Sequence, residues 1–184
     1  DGVTHKLPDP FFVIATQNNI EMSGTYPLPE AQLDRFTARI NIGHPTPADE
    51  LKILDNHLHS TPVDSIQPVM GPDDVCEIRK AVRGVHVDSS LKDYILDIVT
   101  RTRNHEKISL GASPRGSLNL LFASQALAAI SGRNHVLHDD IKAMAVTVLA
   151  HRVIVKPEYR LRGTTSRDVL NEILKEVPLT NVVP

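Results

Sequence analysis

The chain has 184 residues, 41% apolar and 23% charged, the balance of a globular protein and not of a disordered one. Its net charge of −2 supplies no basic excess for nucleic-acid binding, and no apolar run approaches the ~18–20 residues needed to span a bilayer. A single cysteine, Cys76, excludes an internal disulfide framework and fits a reducing compartment. The expectation is a cytoplasmic protein without a membrane span and without a nucleic-acid partner.

The chain opens at Asp1 with no methionine and no signal-like stretch, and enters an apolar run at Phe11-Phe12-Val13-Ile14-Ala15. That run reads as a buried strand needing neighbours on both sides, so the chain reads as a piece of a longer protein. Asn18-Asn19 and Ser23-Gly24 are turn signals, and Pro29-Glu30 suits the start of a short helix with Leu33 and Phe36 on its apolar side. Residues 38–42 fit a second strand. Gly43, Pro45 and Pro47 then punctuate the chain and suggest a boundary, giving an α/β portion over 1–45 and a helical domain over 46–184.

Helical periodicity follows. Residues 47–58 align Leu51, Leu54 and Leu58, and residues 73–82 align Val75, Ile78 and Val82, with proline-broken loop between them. Residues 90–103 carry a stripe of Leu91, Tyr94, Ile95, Ile98 and Val99, with Ser90 as the expected cap. Residues 114–131 form the most apolar helix, ended by Gly132. Residues 139–151 and 166–176 complete the set. The fold class expected is an α/β remnant followed by an all-α domain, mainly α overall.

Three residues stand out chemically. Asn18 lies at the exit of the apolar run, where ligands of open α/β sheets sit, and an amide there can orient a water beside a phosphate. A turn-forming asparagine is the simpler reading from spacing alone. Arg35 has Gln32 and Ala31 as its i−3 and i−4 neighbours, so no acid pairs with it locally; adjacent Asp34 points elsewhere on a helix. Its guanidinium is available to an external anion, or is simply solvated. Arg115 follows Ser113-Pro114 at a helix start, where the dipole disfavours a cation, and its i+3 and i+4 neighbours are Leu118 and Asn119. Free N–H groups beside an arginine suit an anion; an arginine reaching into water fits equally. His57 and His59 diverge on a helix, His135 and His138 lack a clear third ligand, and Cys76 has no helix-start Ser/His arrangement around it to suggest a nucleophile. No metal site is expected.

Together these segments resemble the MoxR family of AAA+ ATPases. The resemblance lies in Ile14-Ala15-Thr16-Gln17-Asn18, in the run from Gly24 through Pro29-Glu30-Ala31-Gln32-Leu33-Asp34-Arg35-Phe36, in Leu110-Gly111-Ala112-Ser113-Pro114-Arg115-Gly116, in the Gly132-Arg133 turn, and in residues 140–152. It implies that Asn18 holds the sensor 1 position, that Arg35 is an arginine finger acting on ATP in a neighbouring subunit, and that Arg115 is the sensor 2 arginine reaching the γ-phosphate in its own. It also implies a homo-oligomeric ring, usually a hexamer, and chaperone-like remodelling or maturation of partners, often with von Willebrand factor A domain proteins. The family commonly has proline after the sensor asparagine; here Asn19 stands there.

The sequence contains no G-x-x-x-x-G-K-[ST] loop and no apolar strand ending in an Asp-Glu pair. Phosphoryl transfer needs both, to hold the phosphates and Mg²⁺. ATP and Mg²⁺ are therefore expected in a longer parent, with neither bound tightly by this chain and no hydrolysis by it alone. The competing reading is a helical interaction module with no nucleotide role.

Overall fold

The computed structural model describes residues 2–17, 28–59 and 61–178. In chain order the elements are α1 (Glu30–Leu33), α2 (Pro47–His59), α3 (Pro72–Arg83), α4 (Ser89–Asn104), β1 (Ile108–Leu110), α5 (Pro114–Ile130), α6 (His138–Leu149), β2 (Ile154–Val155), α7 (Pro157–Arg160) and α8 (Ser166–Glu176). Single 3₁₀ turns lie at Pro62–Ser65 and Ala150–Arg152. Contacts divide the chain into two units, residues 1–13 with 40–79 and residues 14–39 with 80–184. The protein is mainly α, as its periodicity indicates.

The expected strand over residues 11–15 is absent. The segment is extended but unpaired, with Phe12 83% and Ile14 79% exposed. A strand exists through its ladder, and among the described residues none pairs with this one. Residues 38–42 likewise form no strand, for the same reason, and Ile40 and Ile42 lie open to solvent.

In the first unit, α2 begins with a reciprocal cap: Thr46 Oγ1 donates to Asp49 at 2.7 Å and accepts from its N–H at 3.3 Å. Its apolar stripe forms as periodicity dictates, yet Leu51, Leu54 and Leu58 are exposed. The Gly71 N–H donates to Asp74 Oδ2 at the start of α3, and Arg79 pairs with Asp9 at 2.9 Å.

The second unit holds the core. Tyr94, Ile95, Ile98 and Val99 of α4 pack with Leu120 and Ala128 of α5, Ile141, Ala145, Val148 and Leu149 of α6, and Val169, Leu170 and Ile173 of α8. Asp88, not Ser90, caps α4. Its carboxylate accepts from the Ser90 N–H at 2.8 Å and from the Ser90 hydroxyl at 2.7 Å. A carboxylate accepts both bonds at once and answers the helix's positive end, which a hydroxyl does less well. Periodicity gave no sign of the short antiparallel pair β1–β2, which sets Ile108 opposite Val155. Strands this brief lie below the length at which alternation registers.

Two devices close α5 against α6. Gly116 packs tightly here: a Cβ would meet Leu149 Cδ2 at 3.1 Å and Ala112 Cβ at 3.2 Å, so its neighbours would have to give by a few tenths of an ångström. At the far end, Gly132 takes φ +74° and turns the chain. Arg133 then grips Asp140 with both terminal nitrogens, at 2.7 and 2.6 Å, while Asp140 accepts from the Leu137 N–H at 2.8 Å. Asp140 thus serves both as a first-turn acid of α6 and as the partner of Arg133. The Arg133 guanidinium holds its carboxyl below the usual aspartate range, overcoming burial.

Asp140→Ala leaves Arg133 and the Leu137 N–H without their acceptor. The expected loss is about 1.5–3 kcal/mol of folding stability, measured by urea denaturation. A loss within about 0.5 kcal/mol, the range of ordinary surface substitutions, would remove the structural weight given to this contact.

Candidate functional site

The Arg115 position is built from α4 outward. Thr102, fully buried, donates its hydroxyl to Val99 O at 2.6 Å and accepts from the Ala112 N–H at 3.0 Å. Arg103 Nε donates to Ala112 O at 2.8 Å. The loop lies so close to α4 that a Cβ at Gly111 would sit 2.6 Å from Arg103 Cα, so only glycine fits. Ser113 then caps α5, accepting from the Arg115 N–H at 3.2 Å, and Pro114 supplies the first helical residue. Arg115 follows with its side chain half exposed.

The same serine hydroxyl lies 3.0 Å from each carboxylate oxygen of Asp34, the residue that ends α1. Asp34 is the meeting point of the site. Arg152 Nε donates to Asp34 Oδ1 at 3.1 Å, and Arg115 Nη1 lies 3.9 Å from Asp34 Oδ2. Helix neighbours offer Arg115 no acid, as its sequence indicates; the tertiary fold supplies one from 81 residues away. At 3.9 Å this is an ion pair without a hydrogen bond, so the Arg115 donors are not consumed by it.

Arg152 is the buried member, its side chain 1% exposed. A guanidinium has five N–H donors, and here each has an acceptor. Nε serves Asp34 Oδ1; Nη1 serves Thr37 O at 3.3 Å and Val148 O; Nη2 serves Asp34 O at 3.1 Å and Phe36 O. Burial pushes its pKa down from the ordinary arginine value, and the Asp34 carboxylate pulls it back. Neighbouring His151 adds Nε2 to Phe36 O at 3.1 Å, and the Arg39 N–H donates to Thr147 O at 3.0 Å. Residues 34–39 are thereby fastened to the C-terminal end of α6.

Arg35 sits within this fastened segment. Its backbone N–H closes on Gln32 O at 3.1 Å, and its exposed side chain has no hydrogen bond or ion pair among the described residues. Asp34 points away from it, toward Ser113, Arg115 and Arg152. Of the three residues singled out by sequence, Arg115 is brought to Asp34 by the fold and Arg35 follows Asp34 in the chain; Asn18 lies outside the described residues. Asp34 and Arg152 escaped sequence reasoning. A signal existed for Arg152, a lone cation in the otherwise apolar run from Val148 to Val155 with only His151 beside it, and such a charge is buried only with partners. Asp34 gave none, because its partners are 79 to 118 residues distant. Among the described residues no group of three or more His, Cys, Asp and Glu side chains converges as a metal site.

Residues 1–38 match the ATPase family associated with various cellular activities (AAA), and residues 100–173 match the AAA lid domain family. Along the whole chain it is 35% identical to the chaperone MoxR1 of Mycobacterium tuberculosis, covering 51% of that protein. The chain belongs to the MoxR family of AAA+ ATPases. An uncharacterized protein of Bacillus subtilis, YeaC, is 43% identical over 96% of the chain and 55% of its own length. The crystal structure of a candidate ATPase from Cytophaga hutchinsonii matches 97% of the chain and 57% of its own, at 35% identity and a TM-score of 0.90. The chain spans about half the length of the curated MoxR-family relatives it matches.

The same geometry makes folding pH-dependent. Burial pushes the His151 imidazole below its ordinary value of 6.5, against the opposing pull of Phe36 O. The unfolded chain therefore binds a proton that the folded chain refuses. The stability is whole above about pH 6.5 and declines as pH falls through the lowered folded value. His151→Gln is expected to flatten the fall in melting temperature between about pH 7.5 and 5. Equal slopes in both proteins would show that His151 does not titrate against folding.

Proposed function

We propose that this chain supplies the sensing and finger residues of an ATP-hydrolysing, chaperone-like MoxR ATPase whose phosphate-binding loop lies outside these 184 residues. The observation that carries the reading is Arg115. Its half-exposed guanidinium stands in the first turn of a capped helix, where a cation is unfavourable by a few tenths of a kcal/mol, with an acid near but not hydrogen-bonded. That arrangement costs stability in the absence of an anion and is relieved by one.

In this reading Arg115 meets the γ-phosphate in its own subunit and Arg35 meets ATP bound next door, stabilising the negative charge that spreads over the transferring phosphoryl group. Asn18 orients the attacking water. The residues present suit the phosphates and not Mg²⁺, because the carboxylate that the described residues place here, Asp34, is already taken by Ser113 and Arg152, so the metal belongs with the loop elsewhere. Neighbouring subunits of a homo-oligomeric ring, a hexamer by family resemblance, are the first partners, and a von Willebrand factor A domain protein or another client is the second. Residues 1–45 belong with the ATPase core and 46–184 with its lid. The cytoplasm is the proposed compartment; among the described residues, no helix is long and apolar enough to cross a membrane.

The test is steady-state ATP hydrolysis by the longer protein containing this chain, as wild type and with Arg35→Ala or Arg115→Ala, beside residues 1–184 alone. Wild type turns over, the chain alone does not, and Arg35→Ala loses about 10³-fold or more. Mixing Arg35→Ala with a subunit defective only in its own phosphate loop restores activity across the interface. If both arginine variants hydrolyse like wild type, the helical interaction module becomes the better account.

A further inference from the structure

The Asp34 carboxylate faces two guanidiniums that differ in kind. Arg152 is buried, with all five donors engaged, three of its acceptors being carbonyls of residues 34, 36 and 37. Arg115 is half exposed and stands 3.9 Å off, held by charge alone. Losing Asp34 would strand Arg152 beside fewer acceptors in a buried place, which is costly. Losing Arg115 costs little, because an exposed pair at this distance contributes weakly. An anion arriving at the start of α5 therefore takes Arg115 and leaves Arg152 in place.

Asp34 also adjoins Arg35 in the chain. Its side chain is anchored by Ser113 and Arg152, and its own carbonyl accepts from Arg152 Nη2. These bonds tie the turn that carries Arg35 to Ser113 and Arg152. One negative charge lies between two positive ones, and when Arg115 departs, the carboxylate is shared only by Arg152 and Ser113.

We propose that Asp34 is a positioning residue coupling the two arginines: it holds Arg115 in reserve until a nucleoside triphosphate draws it away, and through Arg152 it keeps Arg35 aimed at the neighbouring subunit. The inference rests on the ATPase reading above. It assigns Asp34 two opposite effects. The residue opposes nucleotide binding, by competing for Arg115, and promotes turnover, by ordering Arg35.

The measurement uses the complete ATPase as wild type, Asp34→Asn, Arg115→Ala and the double variant, with affinity for a non-hydrolysable ATP analogue and kcat as readouts. Asp34→Asn is expected to bind the analogue about two- to five-fold more tightly while kcat falls about ten- to a hundredfold. In the Arg115→Ala background the tightening disappears. A residue that merely supports the fold would not tighten binding. Unchanged or weaker binding in Asp34→Asn, or tightening that survives without Arg115, overturns the proposal. Failure of the ATPase reading shows separately, as wild-type turnover in Arg35→Ala and Arg115→Ala, and takes this proposal with it. Should Asp34→Asn not fold, a crystal structure of the wild-type protein with the analogue decides. Arg115 is expected on the phosphate with Arg152 still on Asp34, and Arg115 remaining on Asp34 overturns the proposal.

Discussion

A buried arginine is tolerable only when its donors are all met, and Arg152 meets that condition with acceptors from two distant stretches of chain. Val148 O comes from the preceding turn of α6. The rest come from residues 34, 36 and 37. The segment after α1 has little apolar surface of its own to bury, and α1 itself is a single turn with no buried residue. A helix of four residues is far too short to stand by itself. Its place is set by hydrogen bonds to a fixed charge. Ser113 repeats the logic from α5, using one hydroxyl both as a helix cap and as a donor to Asp34. The position of Arg35 thus follows from α5 and α6, elements more than seventy residues further along.

This explains which parts of the fold could be read from residues. The four long helices α4, α5, α6 and α8 were legible because each buries an apolar face: in α4, Leu91, Tyr94, Ile95, Ile98 and Val99 are all 5% exposed or less. Ser113-Pro114 and Gly132 bounded α5 by local chemistry alone. The run at Phe11–Ala15 misled for a physical reason. Its apolar side chains suit a buried strand, but a strand forms only with partners, and the described residues provide none. The stripe on α2 is a similar case, formed as its spacing requires and left uncovered.

The site was legible in part. Arg35 and Arg115 stood out because local pairing rules left them without acids, and those rules hold over one or two helical turns. They say nothing about Asp34, whose three side-chain partners all lie beyond that range. Asp140 is the local counterpart, a first-turn acid of α6 whose main partner, Arg133, stands seven residues earlier. Motif resemblance singled out Arg35 and Arg115 as the proposed finger and sensor residues. The contacts of the Asp34 carboxylate with Ser113, Arg115 and Arg152 emerged only from the fold.

The central claim is that Asp34 and Arg152 act as one unit in holding the Arg35 segment. It is tested most directly by a double-mutant cycle in folding stability with Asp34→Asn, Arg152→Met and the pair. Hydrogen bonds to charged groups set the scale, so the predicted coupling is about 1.5–3 kcal/mol. Single-variant losses that add to within about 0.3–0.5 kcal/mol, as independent sites do, would contradict it. The segment carrying Arg35 would then be held by its backbone contacts alone.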